Sequence, residues 1–332
     1  MKMMRTPGVP WFGTAVVLAG VAVFAQAPAG PIASAASVRL PAGARSLTAI
    51  NGSSNVAAGL TDGRVAVWNG RDATPAVMLK PHAARVLAVG STADGREVWS
   101  LAADGSLART PIEAGARPAS RRLELGTASP TAAAFSSDGA LLATGGERGE
   151  IRVFDTASGA LKLQLHGHRT ELHYLALRPG SPTLASASAE ADLKIWDTTK
   201  GREIGSADGD LALFALAFSP RDGTLASGGV DRRLTLRDAA SFKPQGMLAL
   251  RAPRMVATLA WSPDGRFIAM GDLDDETLSK GALQVVDAGT RAVVADLDTG
   301  RVPVAAVTFA GSAGMVIAIV GPELRAWKVP AP

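Results

Sequence analysis

Three of the chain's four histidines lie within eight residues, in the segment HGHRTELH (166–173). His166 and His168 are two residues apart, which would place both rings on one face of a β-strand. Neutral imidazole is a common ligand of zinc, copper and nickel, so this spacing would suit a metal ion. A structural site needs about four converging ligands, and neither a cysteine nor a carboxylate near His166 completes one. The sequence therefore favours a structural role for these histidines and predicts no cofactor.

A second group of potential ligands is the acidic segment GDLDDETLSKG (271–281). Asp272, Asp274, Asp275 and Glu276 could bind Ca²⁺ through their carboxylate oxygens. The spacing of a known calcium loop is absent, so the sequence favours a long, solvated hairpin over a calcium site.

Other enzymatic chemistry has little support in the sequence. The chain contains no cysteine, which excludes disulfides, thiolate catalysis and cysteine-ligated zinc. Neither the G-x-S-x-G motif nor the H-E-x-x-H motif is present. Basic residues are scattered and form no stripe of the kind that binds nucleic acid. These observations predict a protein that is not an enzyme and does not bind nucleic acid.

The amino-terminal segment resembles an export signal. Lys2 and Arg5 precede an apolar run over residues 11–24, and the A-x-A pattern of signal-peptide cleavage occurs at 25–27 and 33–35. The run is shorter than the ~20 residues of a transmembrane helix. We therefore predict a signal peptide over residues 1–35, cleaved near residue 27 or 35, a periplasmic or secreted domain over 36–332, and no membrane span after cleavage.

The rest of the chain repeats. The segments GEIRVFDTASG (149–159), ADLKIWDTTKG (191–201) and RRLTLRDAASF (232–242) each contain an alternating apolar strand followed by Asp and a turn. The position of Trp68 recurs every 41 to about 49 residues along the chain, and a period of this length built from short strands is typical of propeller blades. Asp-Gly turns such as SPDG (262–265) separate the strands.

These motifs resemble the WD40 repeat family. The resemblance extends over residues 37–332 and rests on the Gly167-His168 dipeptide, the SPDG-type turns, the ASGGVD segment (226–231) and the Trp196-Asp197 pair. It implies an all-β fold, a single seven-bladed β-propeller of four-stranded antiparallel blades. ASVRLPAG (36–43) matches an outermost strand, so the amino-terminal strand is expected to complete the last blade and close the ring.

The resemblance also assigns structural roles to polar residues. In such propellers the histidine hydrogen-bonds a second-strand serine or threonine, a turn aspartate and the third-strand tryptophan. For His168 the expected partners are Ser186 and Trp196, with Glu190 in place of the aspartate. For His82 they are Ser100 and Asp104, with Thr110 in place of the tryptophan. No blade is therefore expected to contain the complete network. Corresponding structural positions in other repeats are Asp62, Trp68 and Asp231.

Exported WD40-type propellers resemble rigid platforms for partner proteins, which typically bind the face formed by the loops into the inner strands and by the second hairpin turns. We call this the top face. Candidate binding residues from the hairpin turns and from the starts of inner strands are Glu147, Arg148, Glu190, Arg232, Arg233, His173, Tyr174 and Phe214. Tyrosine and arginine are favoured at interfaces.

The sequence thus predicts a non-catalytic protein-binding scaffold, present as a monomer or as part of a hetero-complex. The alternative is a redox accessory protein or enzyme with a metal or quinone at the channel, because turns such as DTASG resemble docking motifs of quinoprotein dehydrogenase propellers. A ligand-sensing or glycan-binding propeller is a third hypothesis.

Overall fold

The computed structural model describes residues 31–113, 117–123, 130–190, 192–208, 213–238, 240–249, 254–274, 279–311 and 314–329. Within these ranges the strands form seven antiparallel sheets of four strands each, and no helix is long and apolar enough to cross a bilayer. Six sheets consist of four consecutive strands, and the seventh combines the last three strands with the first. The predicted all-β, seven-bladed propeller is therefore confirmed.

The four strands of each blade run from the channel to the periphery. The innermost strands of blades 1 to 7 are β2 (Ala44–Ala49), β6 (Val86–Ser91), β10 (Ala132–Phe135), β14 (Leu172–Leu177), β18 (Leu213–Phe218), β22 (Arg254–Trp261) and β26 (Val304–Ala310). The second strands are β3 (Asn55–Leu60), β7 (Glu97–Ala102), β11 (Leu141–Gly145), β15 (Thr183–Ser188), β19 (Leu225–Gly229), β23 (Phe267–Asp274) and β27 (Met315–Val320).

The third strands are β4 (Val65–Asn69), β8 (Ser106–Pro111), β12 (Ile151–Asp155), β16 (Asp192–Asp197), β20 (Arg233–Arg237), β24 (Gly281–Asp287) and β28 (Glu323–Lys328). The outermost strands are β5 (Pro75–Leu79), β9 (Ala119–Arg122), β13 (Leu161–Leu165), β17 (Arg202–Asp208), β21 (Pro244–Ala249), β25 (Val293–Leu297) and, in blade 7, β1 (Ala36–Arg39).

The amino-terminal strand closes the ring. β1 pairs antiparallel with β28, with Ala36 opposite Ala326 and Arg39 opposite Glu323. Just before it, Ile32 forms a parallel bridge to Leu297 in blade 6. The main chain of residues 31–39 therefore joins blades 6 and 7 and covers an outer edge that would otherwise be open to pairing with another chain.

The hydrophobic core lies between neighbouring blades. One cluster joins Trp68 of blade 1 to Ile317 of blade 7, and another joins Phe267 of blade 6 to Trp327 of blade 7. The second strands contribute mostly small and aliphatic residues, and Val56, Leu142 and Leu184 are fully buried. Blade-to-blade packing of apolar side chains therefore provides the rigid ring on which the loops are carried.

The turn between the first and second strands of blade 6 has the structure that its Asp-Gly sequence predicts. In SPDG the Ser262 hydroxyl donates to Asp264 and accepts the backbone N–H of Phe267, while Gly265 has a φ of 68°. A positive φ is easily adopted by glycine because it lacks a Cβ atom.

Candidate functional site: the channel mouth and top face

A buried polar network lies beneath the top face in blade 4. The indole Nε1–H of Trp196 donates to Ser186 Oγ at 2.7 Å, and Ser186 Oγ lies 2.6 Å from His168 Nε2. His168 Nδ1 lies 2.9 Å from both carboxylate oxygens of Asp192. Because Nδ1–H must donate to this carboxylate, Nε2 is the acceptor and Ser186 donates to it.

This network corrects the sequence analysis in two respects. The carboxylate that binds His168 belongs to Asp192, two residues after the predicted Glu190. The Glu190 side chain is exposed, and its backbone N–H donates to Ser188 Oγ. Blade 4 therefore contains the complete histidine, serine, aspartate and tryptophan set that we expected no blade to have. The repeat pattern had indicated residue 190 for this carboxylate, but in the structure it is provided by Asp192, the first residue of β16.

Burial favours the neutral form of His168. Burial disfavours the charged imidazole and lowers the pKa of His168, an effect that outweighs the opposing attraction of Asp192. Gly167 is required beside it, because a Cβ atom at this position would lie 2.7 Å from Cη2 of Trp196. Both residues of the Gly-His dipeptide thus have a packing role.

His82 forms a related network in blade 2. Its Nε2 lies 2.7 Å from Ser100 Oγ, as the resemblance implies, but its Nδ1 lies 2.7 Å from Ser106 Oγ. Ser106 in turn donates to Asp104, so the aspartate acts through a serine rather than directly. Thr110, in the tryptophan's place, is buried and its hydroxyl has no partner among the described residues.

The remaining predicted structural residues, Asp62, Asp231 and Trp68, stabilise turns or pack in the core. Asp62 accepts the backbone N–H and the Nε–H of Arg64, whose hydrogen bond lowers the pKa of the Asp62 carboxyl. Asp231 accepts the backbone N–H of Arg233. Trp68 is buried in the core between blades 7 and 1.

The potential metal ligands do not converge. His166 is exposed just after β13, the outermost strand of blade 3. His168 is buried, and His173 lines the channel. Within the ranges given above, no group of three histidine, aspartate or glutamate side chains is arranged to hold a metal ion.

Two of the four acidic residues of the long hairpin are described, and both are less exposed than the predicted solvated hairpin implies. Asp272 is 4% exposed and accepts the backbone N–H of Ala282, and Asp274 is half-buried at the end of β23. Asp275 and Glu276 lie outside the described residues.

The channel opens on the top face as a cavity of about 560 Å³. In six blades a β-bulge occurs near the start of the innermost strand, and the bulged residues are Arg45, Leu87, His173, Phe214, Ala257 and Ala305. Thr131 occupies the corresponding position in blade 3, and all seven side chains line the cavity. A bulge redirects a side chain, so each blade contributes one residue to the channel mouth.

The structure divides the predicted binding residues into two groups. His173, Tyr174 and Phe214 line the channel mouth, where the Tyr174 and Phe214 rings meet edge to face with centroids 6.4 Å apart. The other five, Glu147, Arg148, Glu190, Arg232 and Arg233, are exposed on the hairpin turns farther out.

Sequence reasoning missed two residues of the mouth, Arg45 and Arg85. Arg45 is the bulged residue of blade 1, at the same register as His173, and Arg85 precedes β6. The shared register with His173 was the signal that could have identified Arg45.

The fold and this mouth define a β-propeller that presents variable side chains on a rigid ring. The WD40 family model (WD domain, G-beta repeat) matches residues 123–155 and 159–197, in blades 3 and 4. The chain is therefore a seven-bladed β-propeller that contains WD40 repeats, and WD40 propellers typically serve as protein-interaction scaffolds.

Curated relatives are WD-repeat proteins of other lengths. Telomerase protein component 1 of Mus musculus is 28% identical over 42% of this chain and 5% of its own length. Pre-mRNA-processing factor 19 homolog 2 of Arabidopsis thaliana is 26% identical over 59% of this chain and 38% of its own. WD repeat and SOCS box-containing protein 1 of Danio rerio is 31% identical over 32% and 26%. The chain thus spans well under half of each relative.

Proposed function

We propose that this protein is a non-catalytic scaffold that binds a partner protein through its top face, in the periplasm or outside the cell. The observation that carries the proposal is the ring of seven side chains at the channel mouth. Each is set by a separate blade, so the mouth can hold diverse chemistry on a backbone that does not need to rearrange. Loops and strand ends on a rigid scaffold are where binding residues concentrate.

The aromatic pair supports a protein partner in particular. Tyr174 and Phe214 are both half-buried at the mouth, and aromatic residues in recessed positions are frequent anchors of protein interfaces. The exposed charged turns that carry Arg148 and Arg233 would form the polar rim around them. The export signal predicted over residues 1–35 supports a location outside the cytoplasm.

A pull-down from extracellular and periplasmic fractions of the source cells tests the proposal. The immobilised protein is compared with a top-face variant (Arg148→Ala, Tyr174→Ala, Arg233→Ala) and a bottom-face variant (Lys200→Ala, Lys243→Ala). Lys200 and Lys243 are exposed in turns at the opposite end of the blades. Melting curves verify that each variant is folded, and an Arg148→Ala, Arg233→Ala double variant replaces the triple variant if Tyr174→Ala unfolds it.

We expect a partner that the wild-type and bottom-face proteins retain and that the top-face variant loses. Equal retention by all three proteins, or loss from the bottom-face variant alone, would contradict the use of the top face. Cell fractionation followed by amino-terminal sequencing tests the location, and a full-length chain in the cytoplasm would contradict it.

A further inference from the structure

The lining of the channel mouth has an unbalanced charge. Arg45 and Arg85 line the cavity together with His173, and among the residues that the structure describes no aspartate or glutamate does. The remaining lining residues are mostly Ala, Leu, Val and Phe, with a few hydroxyl groups. A recess with cationic groups at its rim and apolar walls creates a positive potential that an anion would neutralise.

Arg45 and Arg85 are both available to a ligand. Both side chains are exposed, and within the described ranges neither guanidinium forms an ion pair or a side-chain hydrogen bond. Other arginines of the propeller are paired, such as Arg64 with Asp62 and Arg325 with Glu323. The two free guanidinium groups come from adjacent blades, since β2 and β6 pack side by side.

Tyr174 adds an uncharged donor to the same recess. Burial raises the pKa of the Tyr174 phenol, and the nearby positive charge of Arg45 opposes this rise only in part. The phenol therefore keeps its proton at neutral pH, and its hydroxyl has no hydrogen bond to a described residue. By contrast, the Thr131 hydroxyl is already used, because it donates to the Leu172 carbonyl at 2.7 Å.

We propose that the channel mouth binds a carboxylate of an acidic peptide segment of the partner, with Arg45 and Arg85 as the groups that hold it. This inference rests on the proposed scaffold function and names the chemistry of the partner. A planar guanidinium matches a carboxylate through two parallel hydrogen bonds. The cavity has the size of a small-ligand pocket, and Leu87 and Phe214 would contact apolar residues beside the acidic one.

A peptide fits this surface better than a nucleic acid. Nucleic-acid binding requires a track of basic residues along a backbone of phosphates. Here the two arginines are confined to the adjacent blades 1 and 2, and the opposite side of the mouth, formed by blades 4 and 5, presents His173 and Phe214. The carboxylate could belong to a glutamate or aspartate side chain or to a chain end.

An array of immobilised hexapeptides tests the proposal. Each peptide consists of alanine and leucine with a single Glu or Asp, which is placed at a different position in each member of the series. Every peptide has a counterpart with Gln or Asn in place of the acidic residue. All peptides are made both with a free and with an amidated carboxyl end. The purified protein is applied as the wild type, as a double variant Arg45→Gln, Arg85→Gln, and as a double variant Lys200→Gln, Lys243→Gln. The last variant removes the same charge from exposed turns at the opposite end of the blades. A labelled single-stranded oligonucleotide of about ten nucleotides serves as the competing polyanion.

We expect acidic peptides to bind wild-type protein at least about tenfold more tightly than their amide counterparts. The Arg45→Gln, Arg85→Gln variant loses this preference, and the Lys200→Gln, Lys243→Gln variant keeps it. Preference for a free over an amidated end, with no effect of Glu against Gln, assigns the site to a chain end and still supports it. Equal binding of acidic and amide peptides, or tighter binding of the oligonucleotide, overturns it.

The partner identified by pull-down separates this inference from the scaffold function. If that partner is lost from the Arg148→Ala, Tyr174→Ala, Arg233→Ala variant but retained by Arg45→Gln, Arg85→Gln, the scaffold function stands and the carboxylate site is wrong. Loss from both variants supports both proposals.

Discussion

Trp196 and Ser186 are joined by a 2.7 Å hydrogen bond from the indole Nε1–H to the serine hydroxyl in the interior of blade 4. The same hydroxyl also lies 2.6 Å from His168 Nε2, so one small side chain satisfies two buried ring nitrogens. Blade 5 has the same position without the network, because Ser227 Oγ is buried with no partner among the described residues.

Ser186→Ala is therefore expected to lower the free energy of unfolding by about 1 to 3 kcal/mol, the typical cost of leaving a buried polar group unsatisfied. Ser227→Ala is the matched control, since Ser227 lies in the same register on β19 and its removal breaks no observed hydrogen bond. Chemical denaturation of both variants measures the difference. An equal loss of stability in the two variants would show that the network contributes nothing beyond the volume of the hydroxyl.

Asp192, rather than Glu190, is expected to stabilise the histidine network. Asp192→Ala leaves the Nδ1–H of His168 without its acceptor and should cost about 1 to 3 kcal/mol. Glu190→Ala changes an exposed turn and should stay within about 0.5 kcal/mol of wild type. Denaturant titration of the pair decides between the two residues, and a larger effect from Glu190→Ala would contradict the geometry.

Stability should fall as the pH is lowered through the histidine range. Burial lowers the pKa values of His82 and His168 below the ordinary value of 6.5. The unfolded chain therefore binds more protons than the folded one below about pH 6.5, so unfolding becomes easier as the pH falls. Above that pH both rings are neutral in either state and the stabilisation is fully present.

Melting temperatures between pH 5 and pH 8 measure this dependence. His168→Asn is expected to start from a lower melting temperature at pH 8 and to lose part of the decline at pH 5, with the remainder attributable to His82. His166→Asn, an exposed histidine on the same segment, is the control and should follow wild type. If the melting temperature of His168→Asn falls between pH 8 and pH 5 as steeply as that of wild type, His168 does not cause the pH dependence.

Removal of the amino-terminal strand should make the protein associate. A chain that begins at Leu40 lacks β1 and exposes the edge of β28, which can then pair with another chain. We expect light scattering to show a larger particle or aggregation relative to a chain that begins at Pro31. A monomeric and equally stable truncated chain would show that the ring closes without β1.

The residues before β1 distinguish the two predicted cleavage sites. The N–H of Ile32 donates to the Asp296 carbonyl and the N–H of Asp298 donates to the Ile32 carbonyl, and the Ile32 side chain packs against the core between blades 6 and 7. A chain that begins at Ala36 should lose about 1 to 2 kcal/mol relative to one that begins at Pro31. Calorimetry compares the two, and identical stability would mean that cleavage near residue 35 has no structural cost.

Much of the architecture was readable from the sequence because it depends on local rules. The period of the repeats, the alternation within each strand and the Asp-Gly turns all act over a few residues, and together they predicted seven blades and the closing strand. The top-face candidates His173, Tyr174 and Phe214 followed from their position at strand starts. Roles as binding residues remain predictions for all eight candidates.

The tertiary structure decided what depends on contacts between distant residues. Asp192 rather than the predicted Glu190 is the partner of His168 because of the geometry of one hairpin. Counting residues along the repeat could not supply that geometry. Ser106 entered the His82 network for the same reason. Arg45 and Arg85 line the same channel mouth only because the ring brings blades 1 and 2 together and a bulge occurs at Arg45. The sequence by itself determined the repeating blade, and ring closure determined which side chains share a site, because their proximity is a property of the assembled propeller and not of any single repeat.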